Sequence, residues 1–348
     1  MHDKKQDLQT LIATHSRRLQ KLNEQRAFRG IATPPEVLIE IENIENELRG
    51  LVVDLSAFAA PQRTQQPDAP VIHLHNWGRP PAEPPDAAVY LNWQAPGRFE
   101  ELPDRTRRVP TPAVWADDLL PALRALPQQM AAQEWVRLEG KAALSTGLAL
   151  GTIFRAKERY RLEVAQFVPD KGHTEYWASN AQPPAGVPDP RFGLHVAERP
   201  PDAPATTATA EDMVVVVGAL NTTAIAKVLE DVGRYFGEPA AFSAIAAGQS
   251  DGIRAVKAVL ALEATAATQE GRPLEGWEAA GLARSSTALV NNFKQRVKPA
   301  RLHLFVAGPL SLAVFMGHFW IHIGCPVQGY EVVGTEPVYA PTCLIEGL

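Results

Sequence analysis

Arg137-Leu138-Glu139-Gly140-Lys141, followed by Leu144-Ser145, then Gly151, then Tyr160-Arg161-Leu162-Glu163-Val164, is the stretch on which the fold of this chain turns. The plan returns as Leu302-His303-Leu304-Phe305-Val306, Leu310-Ser311, Gly317 and Gln328-Gly329-Tyr330-Glu331-Val332. Each copy predicts a strand, a turn, a helix carrying Leu-Ser-x5-Gly, and a second strand. Self-similarity at this distance predicts two related α/β halves. If the halves face each other, their strand-to-helix turns form one pseudo-symmetric cleft. Such turns offer backbone N–H groups and the positive end of a helix dipole, which suits an anionic ligand.

Met213-Val214-Val215-Val216-Val217 is a short, wholly apolar run that reads as a buried parallel strand, with its turn at 218–223 and a helix to about Phe236. Ile253, Val256 and Leu260 predict another helix, as do Leu282, Leu289, Val290 and Phe293, and Tyr339 to Ile345 reads as the last strand. Strands alternating with helices predict mostly parallel sheets covered on both faces. The first half is placed at 128–205 and the second at 206–348. Residues 55–127 are rich in Pro, Arg and Asp and read as a linker. Within it lie a strand at Ala88-Val89-Tyr90-Leu91-Asn92-Trp93 and a short helix from Trp115 to Leu126.

Residues 1–54 predict a helical hairpin. Leu8, Leu11, Ile12, His15, Leu19 and Leu22 fall at helical spacing, and Gly30 breaks the run. Thr33 and Glu36 fit a capping box around Pro34. Val37, Ile41, Ile44, Leu48 and Leu51 then give a narrow seam. Two helices of this length bury too little surface to be stable alone, so they need a further surface to pack on.

The 348 residues are 45% hydrophobic and 21% charged, an ordinary globular composition, and the net charge of −5 argues against a broad polybasic surface for duplex DNA. Cys325 and Cys343 are expected to be free thiols in a reducing compartment. The N-terminus lacks an apolar signal core, and no apolar run approaches the length of about 18 residues needed to span a membrane. A cytoplasmic protein is expected.

Two series of motifs carry a family resemblance. In the first copy they are Leu138-Glu139-Gly140-Lys141, Leu144-Ser145, Leu150-Gly151 and Leu162-Glu163-Val164-Ala165-Gln166. In the second they are His303-Leu304-Phe305, Pro309, Ser311, Ala313, Gly317, Tyr330-Glu331 and Tyr339-Ala340-Pro341. On these, over about 88–348, the chain resembles the SAVED domain, the sensor module of bacterial antiphage signalling (CBASS) and type III CRISPR systems. The resemblance implies an α/β fold of two fused Rossmann-like (CARF-like) halves. It implies a cyclic tri- or tetranucleotide ligand, such as a cyclic oligoadenylate, with no other cofactor. It also implies self-association on ligand binding and activation of an effector. Residues 1–54 are too short for a nuclease, TIR or protease domain, so the implied effector is a separate protein, reached through that hairpin.

Several residues are candidates for ligand contact, each beside a plainer role. Gly140 and Lys141 lie in the first turn, where an ammonium can neutralise a phosphate or simply be solvated. Ser145 and Ser311 start the repeated helices, where their hydroxyls can cap the helix or hydrogen-bond a phosphate, or where they serve as small packing residues. Asn221, Thr222 and Thr223 follow a buried strand, where open α/β sheets bind ligands and where helices are also capped. Trp177 can stack on a base or fill the interior. Pro309 suits a first helical turn, and Tyr330 comes from the resemblance. Phe305 and Phe315 read as core. His73, His75 and Trp77 form a His-x-His pair without further ligands at metal spacing, and His318 with His322 lacks the Glu of a zinc motif and reads as helix end and surface. Gly147 to Gly151 lies inside a helix and is no phosphate loop. No catalytic constellation stands out. A receptor, a ring nuclease that degrades the same ligand, and a ligand-independent adaptor all remain open on this fold.

Overall fold

The computed structural model describes residues 68–346 apart from 79, 82–85, 104–105, 131–132, 203–206, 250–251, 269–270 and 335–337, together with scattered positions between 10 and 47. Two compact units are present: Gln65–Gln166 with Tyr176–Leu348, and Met1–Thr64 with Phe167–Glu175.

The first half opens with β1 (Val71–His75) and β2 (Val89–Asn92), then a small hairpin of β3 (Glu100–Glu101) and β4 (Arg107–Arg108). Then come β5 (Trp135–Lys141), α1 (Leu144–Ile153), β6 (Arg161–Val168) and β7 (His173–Ala178). The second contains β8 (Phe192–Glu198), β9 (Met213–Gly218), α2 (Ile225–Phe236), β10 (Ala258–Ala264) and α3 (Gly276–Val297). It closes with β11 (Leu302–Ala307), α4 (Leu310–Phe319), β12 (Val327–Val332) and β13 (Tyr339–Ile345). The sheets run β2-β1-β5-β6-β7 and β13-β12-β11-β9-β10-β8. Parallel pairing dominates, with β8 and β13 as antiparallel edges of the second sheet.

The repeat is found as expected, strand for strand. Its surroundings differ in three places. Strand β1 comes from the stretch read as a linker and lies between β2 and β5, so the first sheet begins well before residue 128. Strand β8 pairs with β10, so the second sheet begins before 206. Ile253, Val256 and Leu260 do not share a helix: Leu260 is central in β10, parallel to β9. The run Val256 to Leu262 is almost wholly apolar, and over so short a run periodicity cannot separate a buried strand from a helix. The expected helix from Trp115 appears as successive helical turns between 112 and 129, with a π-helical segment at Trp115–Leu119.

Helices α1 and α4 carry the repeated Leu-Ser-x5-Gly and are apolar all round, as befits buried helices. They pack on each other at their glycines. A Cβ on Gly151 would meet the Val314 carbonyl oxygen at 2.1 Å, and one on Gly317 would meet the Leu148 carbonyl oxygen at 2.1 Å. Val314 and Leu148 are equivalent positions of the repeat, so the contact is two-fold symmetric. Gly147 faces Leu310 and Val314 near one end, and the Phe154 carbonyl accepts from His318 Nδ1 at the other. The helices therefore run in the same sense and present both N-termini at one end.

Helical residues in the smaller unit include Leu19, Leu22, Val37, Ile41 and Ile44, which cluster together, and an Arg18–Glu40 ion pair. Leu8, Ile12, Gly30, Thr33, Leu48 and Leu51, and so the expected turn and capping box, lie outside the described residues.

Candidate functional site

A cavity of about 340 Å³ opens at the end of the molecule where α1 and α4 begin. Trp77 reaches it from the turn after β1, Ala142 to Leu144 from that after β5, Leu220 and Thr223 from that after β9, and Gly308 from that after β11. Tyr330 and Glu331 of β12, Tyr339 of β13, Asp231 of α2 and Arg107 of β4 complete the wall. Crevices beyond the C-terminal ends of parallel strands are where open α/β sheets take ligands.

The helix starts are sealed by crossed contacts between the halves. The Ser145 N–H at the start of α1 donates to Glu331 Oε1 at 2.5 Å, from β12 of the second half. The Ser311 N–H and hydroxyl at the start of α4 donate to Gln166 Oε1 at 3.5 and 3.4 Å, from β6 of the first half. At α1 an internal carboxylate stands where the dipole argument places an anion. Burial raises the Glu331 carboxyl above its ordinary value, opposed by N–H groups of Ser145 and Leu144, the Ser145 hydroxyl and nearby Arg107.

Thr223 and Tyr330 face the cavity. Tyr330 is also core: its ring stacks on Phe305 at 4.1 Å, and its hydroxyl meets His303 Nδ1 at 2.7 Å. His303 Nε2 continues to Asp212 Oδ2 at 2.9 Å. Burial raises the Tyr330 phenol and lowers His303. Lys141 is exposed at the end of β5, with Nζ beside Gly78 and its carbonyl accepting from Asn76 at 2.9 Å. Gly140 has φ +98°, and a Cβ there would strike the Leu74 carbonyl oxygen at 2.2 Å, so its glycine is required by strand approach. Asn221 and Thr222 are exposed beside the cavity's Leu220 and Thr223, and the cap position of α2 is Ala224. Pro309 is the extended residue preceding α4, one position earlier than a first-turn proline. Ser145 and Ser311 are buried, and the crossed contacts engage the N–H and hydroxyl of Ser311 but only the N–H of Ser145.

Trp177 is brought elsewhere, its buried indole against Gly276 at the start of α3. His318 is interior rather than surface, because its ring is enclosed where α1 and α4 end; burial lowers it to about 4. His75 is buried, and His73 lies edge-on to Tyr90 at 5.5 Å. Both cysteines are free. No helix among the described residues is long and apolar enough to cross a membrane.

Arg107 and Trp77 are wall residues that the sequence did not mark for ligand contact. The Arg107 N–H bonds the Val333 carbonyl at 2.8 Å, and its guanidinium lies over the Trp77 ring at 4.8 Å. The alternation around Val71-Ile72-His73-Leu74-His75 is a legible strand signal and would have put Trp77 at a strand end. Arg107 stands in the two-residue strand β4, too short for any periodicity to point to it.

Residues 119–345 match the SMODS-associated and fused to various effectors sensor domain, SAVED. The chain belongs to the SAVED family. Among solved structures this SAVED protein is similar to the Acinetobacter baumannii Cap4 SAVED/CARF-domain containing receptor with the cyclic trinucleotide 3'3'3'-cAAA, with a TM-score of 0.52 and 20% identity over 88% of this chain. It is similar to the same receptor with 2'3'3'-cAAA, with a TM-score of 0.52 and 18% identity over 88% of this chain. At these identities the likeness is one of fold. The chain spans little more than half of those receptors, 56% and 55% of their length. No curated protein matches it in sequence.

Proposed function

We propose that this SAVED protein is a receptor for a cyclic tri- or tetranucleotide of the cyclic oligoadenylate kind, bound where the turns after β1, β5, β9 and β11 converge. That convergence is the observation that carries the reading. It gathers turns of both halves around one cavity at the starts of two parallel helices. Membership of a sensor family supports it, and so does a similar fold in receptors holding a cyclic trinucleotide. In this reading Thr223 and Tyr330 face the ring, and Lys141, Asn221 and Thr222 stand at its rim. Gly140, Pro309 and Ser311 shape the turns. Binding fixes the relative angle of the halves, promotes self-association, and acts on a separate protease, nuclease or TIR-type effector through residues 1–54.

Calorimetry with cyclic tri- and tetra-adenylate tests the receptor reading. One of the two should bind, and Lys141→Glu, which sets a like charge near a phosphate, should weaken it at least about tenfold, or about 1.4 kcal/mol. Absence of binding to either ring would overturn the proposal. Mass photometry with and without the bound ring tests the assembly step, expecting larger species only with ligand.

A further inference from the structure

The cavity's electrostatics turn on a residue outside the matched family region. Its wall holds two carboxylates, Asp231 and Glu331, and one arginine, Arg107. Asp231 is already paired with Lys227 at 3.0 Å and Arg234 at 2.6 Å. Glu331 takes the N–H of Ser145. Arg107 is exposed and makes no ion pair among the described residues, and its nearby charge opposes the burial that raises the Glu331 carboxyl. It is nonetheless held from two sides: its N–H is tied to the end of β12, and its guanidinium lies over an indole delivered by β1. Trp77 is in turn braced edge-on by Phe99 at 5.0 Å, and the Gly78 N–H bonds Glu101 Oε2 at 3.1 Å. A planar cation fixed over an aromatic face, its N–H edges left open, is prepared for an anionic oxygen acceptor.

We infer that Arg107 is the phosphate-contacting residue of this cavity and that Trp77 is its positioning residue. This rests on the receptor reading above and adds who makes the contact. Both residues precede position 119, where the family match begins. Recognition of the ligand's charge is thus supplied by the part of the first half that precedes the matched region, and the α1 start, filled by Glu331, does not supply it.

The test is calorimetry with whichever cyclic oligoadenylate the unaltered protein binds, repeated over a range of salt concentrations. Arg107→Gln should weaken binding about tenfold or more and flatten the plot of log affinity against log salt, by less than the change of about 0.7 that one lost phosphate contact gives on a long single strand. Arg107→Lys, which keeps charge without the stacked plane, should fall between. Trp77→Phe should weaken binding in the unaltered protein and add nothing in the Arg107→Gln background, as expected if its role runs through the guanidinium. Affinity within about twofold of the unaltered protein, or a loss with an unchanged salt slope, would overturn the inference while leaving the receptor reading intact. Failure of the unaltered protein to bind any such ring would remove the receptor reading itself, and this inference with it.

Discussion

At the scale of single residues, two buried titratable groups pull stability in opposite directions with pH. Burial depresses His318 to about 4 from an ordinary 6.5. Between those values the unfolded chain binds a proton that the folded chain refuses, so stability falls as pH drops through this window. The loss amounts to about 3 kcal/mol, and His318→Asn should abolish that part of the slope in denaturant titrations at pH 7 and pH 4.5. An unchanged slope would mean the ring is solvated. Glu331 is raised by burial, so the folded chain keeps a proton that the unfolded chain has lost. Its contribution declines as pH rises from the ordinary carboxylate value through the raised one. Glu331→Gln keeps an oxygen for the Ser145 N–H and removes the buried charge. Its stability relative to the unaltered protein should therefore grow with pH and then level off. A difference independent of pH would refute the assignment. Neither group was legible in sequence: His318 looked like a helix end because nothing local shows that α1 would cover it.

Among the elements, the crossing of α1 and α4 makes the sharpest forecast. Gly317→Ala gains helix propensity of about 1 kcal/mol. Against this, the new methyl would stand 2.1 Å from the Leu148 carbonyl oxygen, a backbone atom that cannot rotate away. Overpacking of that kind costs about 1–3 kcal/mol or more, so the clash should win, and thermal denaturation should show a lower midpoint. Gly151→Ala, the symmetric change, should behave alike. A raised midpoint for either would show that the helices can slide apart. Here the sequence spoke clearly, since Leu-Ser-x5-Gly recurs at the same place in both copies and its glycines prove to be the crossing point. Its signal at β1 was faint, because an alternation of five residues among prolines carries little weight until β5 is known to lie beside it. It misled at Leu260, where a buried strand happened to place apolar residues at helical intervals.

Across the whole molecule, the crossed seals at Ser145 and Ser311 bind the halves into one cooperative structure. Opening the second half withdraws Glu331 from α1, and opening the first withdraws Gln166 from α4. Hydrogen exchange of amides in β5 and β6 should therefore report nearly the same opening free energy as those in β9 and β11, within about 1 kcal/mol. Halves that open in separate steps would contradict this. The same seals bear on descent. If the halves arose by tandem duplication, the duplication left no redundant copy, because each now closes a helix belonging to the other. Neither can be lost or allowed to decay without unsealing the survivor. What divergence could change was the chemistry of the closing group, an acid in one direction and an amide in the other, and not the place to which it reaches.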